Sequence, residues 1–188
     1  MIGILLAAGK GRRFDPSGQR NKLLQPLAQG LPVAAVAART LLSATGSALA
    51  VVPAPEGELG RILREAGCRT VACPEADLGM GASLVCGLRA AAPSDGFLIA
   101  LADMPYLQVA TLVALVDAIA QGADIAAPTH EGRRGNPVAF SARHLPRLLG
   151  LGGDQGARQL LKTYPVQDIE VPDPGIFRDI DHADDLRS

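Results

Sequence analysis

Two stretches of this 188-residue chain hold residues whose types and spacing could do chemistry. The first is Gly9-Lys-Gly-Arg-Arg-Phe-Asp-Pro-Ser-Gly-Gln-Arg-Asn-Lys22, directly after an apolar run. Gly9 and Gly11 let the backbone come close to a ligand and aim N–H groups at it. Lys10, Arg12, Arg13, Arg20 and Lys22 put five cations into thirteen residues, opposed only by Asp15. The whole chain carries a formal charge of −1, so this charge is local, and a polyphosphate would satisfy it. The second stretch is Asp103-Met-Pro105, at the end of the apolar run Phe97–Ala102. Near the C-terminus, Arg178-Asp-Ile-Asp181 puts two more carboxylates after the strand-like Ile176-Phe177. Mg²⁺ prefers oxygen ligands and is usually held by one or two carboxylates plus substrate phosphates.

The basic loop is neither of the two common phosphate loops. A P-loop needs Lys followed by Ser or Thr, and Lys10 is followed by Gly11. The dinucleotide fingerprint needs a third glycine, where Phe14 stands, and an acidic residue about 20 positions on. Ala28-Gln-Gly-Leu31 stands there instead. No His, Cys or Ser constellation for nucleophilic catalysis is evident. His130, His144 and His182 are scattered and read as surface residues. Cys68, Cys73 and Cys86 form no C-x-x-C pair and read as buried apolar thiols. Lys22 reads as a loop cation with little packing role.

These residues need elements to position them. Ile2–Ala8, Ala48–Val52, Arg69–Ala72, Phe97–Ala102 and Ile125–Ala127 read as buried strands. Pro32–Leu42, Glu58–Ala66, Ser83–Ala92 and Leu107–Ala120 alternate with them at helical spacing, with stops at Gly46 and Gly67. This alternation predicts an α/β fold: a Rossmann-like, doubly wound, mostly parallel sheet with helices on both faces. Ligands of such sheets bind beyond the carboxyl ends of the strands, where both chemical stretches fall. After residue 128 the rhythm changes. Pro137–Ser141 and Gln167–Val171 read as strands, with helices near Arg143–Leu149 and Gly156–Lys162.

Composition bounds the rest. A hydrophobic fraction of 48% with 20% charged residues excludes disorder. Aromatics are only 3%, so the core must be aliphatic. The balance of 18 basic against 19 acidic residues gives no overall basic surplus for nucleic acid or an anionic membrane. No apolar run reaches the ~20 residues of a membrane span. A single domain in the cytoplasm is expected, with its pattern dividing near residue 128.

Six motifs in order carry a resemblance. They are Leu6-Ala-Ala-Gly-Lys-Gly-Arg-Arg13 with Asn21-Lys-Leu-Leu24, Gly79-Met-Gly-Ala-Ser-Leu84, Leu101-Ala-Asp-Met-Pro105, Arg134-Gly-Asn-Pro-Val-Ala-Phe140, Gly153-Asp-Gln-Gly-Ala-Arg158 and Asp179-Ile-Asp-His-Ala-Asp-Asp-Leu186. Across nearly the whole chain it resembles the MobA-like/MocA-like NTP transferases, in the branch that cytidylates molybdenum cofactor. The resemblance implies a nucleotide-diphospho-sugar transferase type of fold and transfer of CMP from CTP to molybdopterin. It implies nucleotide contacts from Leu6, Ala7, Ala8, Gly9, Lys10, Gly11, Arg12, Arg13, Lys22, Gly81, Ser83 and Asp103. Arg13, Lys22 and Asp103 would be the catalytic residues. Mg²⁺, with Mn²⁺ as the alternative, would sit on Asp103 and Asp181. Arg134, Gly135, Asn136, Pro137 and Asp154 would meet the acceptor, and a molybdoenzyme or its chaperone would be a transient partner. The guanylyl branch has Leu-Ala-Gly-Gly where this chain has Leu6-Ala-Ala-Gly9, and lacks the Gly79–Leu84 type of segment. This chain departs from the family at Phe14-Asp15, where Met-Gly is usual, and adds residues before Lys22.

The acceptor's phosphate monoester has a second pKa of about 6 and is largely dianionic at neutral pH, so no general base is required. Charge neutralisation and positioning would then carry the reaction. Two alternatives stand beside this reading. One is a nucleotidyltransferase using another NTP, a sugar phosphate or another phosphorylated small molecule; the other is a nucleotide-binding module without catalysis. A dinucleotide oxidoreductase ranks last because the fingerprint fails.

Overall fold

The structure is a computed structural model that describes residues 1–153 and 156–187. Among these described residues, six α-helices and eight strands run in the order β1 (Ile2–Leu6), α1 (Val33–Thr45), β2 (Ala48–Val52), α2 (Glu58–Glu65), β3 (Arg69–Ala72), α3 (Met80–Ala91), β4 (Gly96–Leu101), α4 (Val109–Ala120), β5 (Ile125–His130), β6 (Arg133–Arg134), β7 (Val138–Ser141), α5 (Leu145–Leu149), α6 (Leu160–Thr163) and β8 (Gln167–Glu170). All eight strands join one sheet. β1 pairs in parallel with β2 and β4, and β2 with β3. β7 then runs antiparallel to both β4 and β5. β8 closes the far edge of β5, again in parallel.

Alternation along the strands sorts the core into two layers. Leu5, Ala50, Leu98 and Ala100 face α1 and α4, meeting Val33, Leu41, Leu112 and Leu115. Ile4, Val51, Phe97 and Ile99 face the other way, toward Leu84 and Leu88 of α3 and Leu148 of α5. Small residues set the helix spacing. A Cβ on Gly3 would lie 2.6 Å from Leu41 Cγ, and one on Gly87 would lie 2.7 Å from Val51 Cγ2. The expected mostly parallel sheet with helices on both faces is therefore present.

Several local expectations are corrected. α3 begins at Met80, three residues before Ser83, because Gly79 at φ +122° ends the preceding turn. β5 continues to His130 and turns through Glu131 and Gly132, at φ +52° and +72°, into β6, which no period-2 pattern announced. Ile176-Phe177 is not a strand but the end of a 3-10 turn, Pro174–Phe177. Asp173 caps this turn, and proline at its start cannot donate to a ladder. His144 is not a surface residue: it is 4% exposed, with its ring edge-on to Phe140 and Tyr164. Burial, and then the nearby Arg147 guanidinium, hold its pKa below the usual histidine value against an opposing pull from Asp124.

Asp173 ties the C-terminal segment to the start of α4. Its carboxylate is 1% exposed and accepts from Gln108 N at 2.9 Å, Thr111 Oγ1 at 2.7 Å and Gly175 N at 2.9 Å. One buried carboxylate thus joins the start of α4 to the turn that precedes Asp179 and Asp181. Asp173→Ala would leave three donors without their acceptor and should cost about 3 kcal/mol. A fall in Tm of about 6–12 °C follows for a chain of this size, measured by thermal melting. A Tm unchanged within a degree would show that the clip is not needed.

Candidate active site

The chain leaves β1 toward β2 on one side, while β4 lies on the other, so a crevice opens between the carboxyl ends of β1 and β4. A cavity of about 410 Å³ lies there. Leu6, Ala7, Ala8, Gly9, Lys10 and Arg12 from the end of β1 and its loop line it. Lys22, Ser83 and Asp103 line it from other elements. The start of α3 closes one wall with Gly79 and Met80, where an uncapped helix N-terminus favours an anion.

Three residues expected at the nucleotide lie outside this lining. Gly81 donates its N–H to Gly153 O at 2.9 Å, docking the segment before α6 onto α3. Gly11, at φ +59°, packs over the Lys22 stem; a Cβ there would lie 3.4 Å from Lys22 Cγ. Arg13 lines a second cavity instead and bonds Asp181 Oδ2 at 2.5 Å. The added loop turns on Asp15, whose carboxylate accepts from Ser17 Oγ at 2.6 Å, Ser17 N at 2.9 Å and Arg20 N at 2.7 Å. These bonds, the Ser17 hydroxyl first, lower its pKa. Arg20 consequently faces away from the crevice, over the Phe14 ring at 5.4 Å and bonded to Gln25.

The centre of the site is a charge cluster. Lys22 Nζ donates to Asp103 Oδ2 at 2.7 Å and to Asp181 Oδ1 at 3.2 Å. Ile180 N donates to Asp103 O at 2.8 Å, fixing Asp181 beside Asp103. The Asp185 carboxylate accepts from His182 N at 2.6 Å and Asp181 N at 2.9 Å, which lowers its pKa and locks the same turn. Lys22 is 9% exposed, so the reading of it as a loop cation with little packing role is corrected.

Asp103, Asp179 and Asp181 each offer a carboxylate oxygen, and these lie within 4.8 Å of one another. The donors are all oxygen, the chemistry a hard divalent cation requires. Asp103 Oδ1 is buried and has no hydrogen-bond partner, leaving a free lone pair there. The site therefore fits a divalent metal. Asp179 is the ligand candidate that the sequence reading passed over.

The second cavity, about 920 Å³, adjoins the first; Leu6, Met80 and Leu101 line both. Arg134, Gly135 and Asn136 line it as expected, while Pro137 is not in its wall and Asp154 lies outside the described residues. Arg134 is gripped by Asp168 through two bonds of 2.7 and 2.9 Å, a bidentate pair that raises its pKa. The cations of this cavity without an ion-pair partner among the described residues are Arg133, Arg158 and Lys162, none of which was assigned to the acceptor from sequence. Arg133 stacks over the Phe177 ring at 4.7 Å. The adjacent Arg133-Arg134 pair was a visible signal; its division into one free and one fixed guanidinium was not.

The chain belongs to the MobA-like NTP transferase domain family, a nucleotidyltransferase family whose model matches residues 3–169. It is 35% identical over 197 residues to the purine catabolism protein PucB of Bacillus subtilis (strain 168), spanning 96% of this chain and 91% of that one. It is 30% identical over 199 residues to nicotine blue oxidoreductase of Paenarthrobacter nicotinovorans, spanning 99% and 94%. A nucleotidyl transferase from Methanothermobacter thermautotroptrophicus superposes with a TM-score of 0.81 at 27% identity, over 98% of this chain and 93% of that one. A Mycobacterium tuberculosis H37Rv protein in complex with manganese does so at 0.76 and 25%, over 98% and 94%. Among the described residues no helix is long and apolar enough to cross a membrane.

Lys22→Ala would leave the Asp103 and Asp181 carboxylates facing each other without their shared cation. Both are partly open to water, so the cost should be about 1–3 kcal/mol, below that of a fully buried pair. Urea unfolding of the ligand-free protein measures it. An unchanged midpoint would show that the ammonium does not hold the cluster.

Proposed function

We propose that the chain transfers CMP from CTP to the terminal phosphate of molybdopterin, releasing pyrophosphate. The observation that carries this reading is the junction of the two cavities. Asp103 lines the first and Asp179 the second, and the cluster they share lies between them. A triphosphate seated on the Gly9–Arg12 loop and the start of α3 would meet an acceptor phosphate entering from the cationic second cavity. Lys22 and Arg13 would face the reacting phosphates, while Arg133, Arg158 and Lys162 would draw the acceptor in. Asp103, Asp179 and Asp181 would hold Mg²⁺ or Mn²⁺, which supplies charge neutralisation for the transferring and leaving groups. Residues 1–127 then serve mainly the nucleotide and 128–188 mainly the acceptor.

Base choice follows from the crevice wall. Ala7 and Ala8 line the crevice, and methyl groups that glycines would lack would stiffen the loop beside the base. Cytosine is smaller than guanine and fits such a wall better. With equal CTP and GTP, CMP transfer to molybdopterin should dominate, and Ala8→Gly should narrow the preference. Equal incorporation of both nucleotides by the unaltered protein would remove the cytidylyl reading and leave the nucleotidyltransferase one.

Asp103→Ala should lower turnover on the order of 10³-fold while the fold persists, because several kcal/mol of charge stabilisation are lost. Pyrophosphate release measures this. Near-normal turnover would remove Asp103 from the chemistry.

The relative named nicotine blue oxidoreductase raises a second reading, hydride transfer. The crevice argues against it. An NAD site of this kind carries an acid beyond the second strand to hold the ribose, whereas Pro53-Ala54 follow Val52 at the end of β2. Oxidation of NADH or NADPH without any NTP requirement would favour this second reading.

A further inference from the structure

We infer that Lys22 is a built-in stand-in for the divalent cation, bridging the carboxylates and giving them up when metal and triphosphate arrive. The inference rests on the metal site proposed above and adds the regulation of that site. Its ground is the way Lys22 is engaged. The ammonium contacts one oxygen of Asp103 and one of Asp181, at 2.7 and 3.2 Å, and its side chain is only 10% exposed. The Asp103 oxygen it leaves alone is buried and unpartnered. Asp103, Asp179 and Asp181 set against Lys22 and Arg13 carry a net charge of −1, from three negative groups and two positive. That balance suits a site without metal, since three crowded carboxylates without cations would repel one another.

Lys22 and a divalent cation cannot share the same two oxygens, because like charges at contact distance repel strongly in a site largely shielded from water. Lys22 has somewhere to go. Its stem lies along Gly11, whose missing Cβ would sit 3.4, 3.6 and 3.9 Å from Lys22 Cγ, Cδ and Cε. Lys22 also lines the first cavity beside Gly9 and Lys10. A flexible four-carbon stem lets the ammonium pivot from the carboxylates to a phosphate seated on that loop. The triphosphate then supplies the acceptors the ammonium loses, and the freed carboxylates receive the metal. Metal and nucleotide therefore bind with positive, reciprocal coupling. Without nucleotide the protein holds a divalent cation weakly by construction.

Mn²⁺ titration of the nucleotide-free protein, with free Mn²⁺ followed by electron paramagnetic resonance, separates the possibilities. Lys22→Met keeps the stem and removes the charge. It should tighten Mn²⁺ binding about 10-fold, within the usual range of coupling between sites. Asp103→Asn should abolish that binding in either background. Equal or weaker Mn²⁺ binding by Lys22→Met, with Asp103→Asn still abolishing it, overturns the exchange and leaves the metal site standing. Mn²⁺ binding indifferent to Asp103→Asn overturns the metal site itself. The unaltered protein gives an independent reading through acetylation of Lys22 by acetic anhydride, quantified by mass spectrometry against Lys162. Saturating Mn²⁺ should raise Lys22 labelling several-fold; labelling that stays level or falls overturns the exchange.

Discussion

Three carboxylates and a lysine share the end of the crevice between β1 and β4, and much of the local structure serves to keep them together. Carboxylates so close repel unless a cation sits between them, and Lys22 supplies that cation. Asp103 arrives on the end of β4, a strand paired along its length with β1. Asp181 arrives from the last segment of the chain and depends on more contacts. The Ile180 N–H on Asp103 O, the Asp185 cap and the buried Asp173 clip each hold part of that segment. The C-terminal stretch is thus an integral wall of the site although it adds no strand to the sheet.

The sheet explains why the site has two chambers. Parallel strands β1 and β4 leave a switch-point crevice, which the glycine loop and α3 shape into the smaller cavity. β7 then breaks the parallel run, and the β5–β6 hairpin beside it presents Arg133 and Arg134 to the larger one. One chamber carries backbone N–H groups and a helix start, suited to a triphosphate. The other carries side-chain cations and the Phe177 ring, suited to a larger anionic partner. A divalent cation on the acidic cluster at their junction would offset the repulsion between phosphates entering from the two sides.

Much of this was legible in the chain. Lys22 and Asp103 could be read because a glycine-rich basic loop and a strand-end carboxylate are local patterns, and α/β topology brings strand ends to one edge. Gly46 and Gly67 announced the ends of α1 and α2 for equally local reasons. What escaped the reading depended on distant partners. Arg134 looks like any arginine until Asp168, 34 residues away, grips it. Asp181 could be read as a metal carboxylate, whereas Asp179 joins it at Asp103 only through tertiary packing around the fully buried Ile180. His144 looked like a surface residue because nothing near it in sequence shows Phe140 and Tyr164 closing over it. The turn at Pro174–Phe177 imitated a strand because Ile-Phe has high β-propensity, while Asp173 and Pro174 decide the geometry.

If a nucleoside triphosphate and a divalent cation meet on the carboxylates bridged by Lys22, anomalous diffraction from Mn²⁺ in crystals grown with a non-hydrolysable CTP analogue will locate them. One strong peak is expected within bonding distance of Asp103 and Asp181, with the triphosphate on the Gly9–Arg12 loop and Lys22 turned toward it. A peak elsewhere, or a triphosphate lying in the larger cavity among Arg133, Arg158 and Lys162, would contradict it.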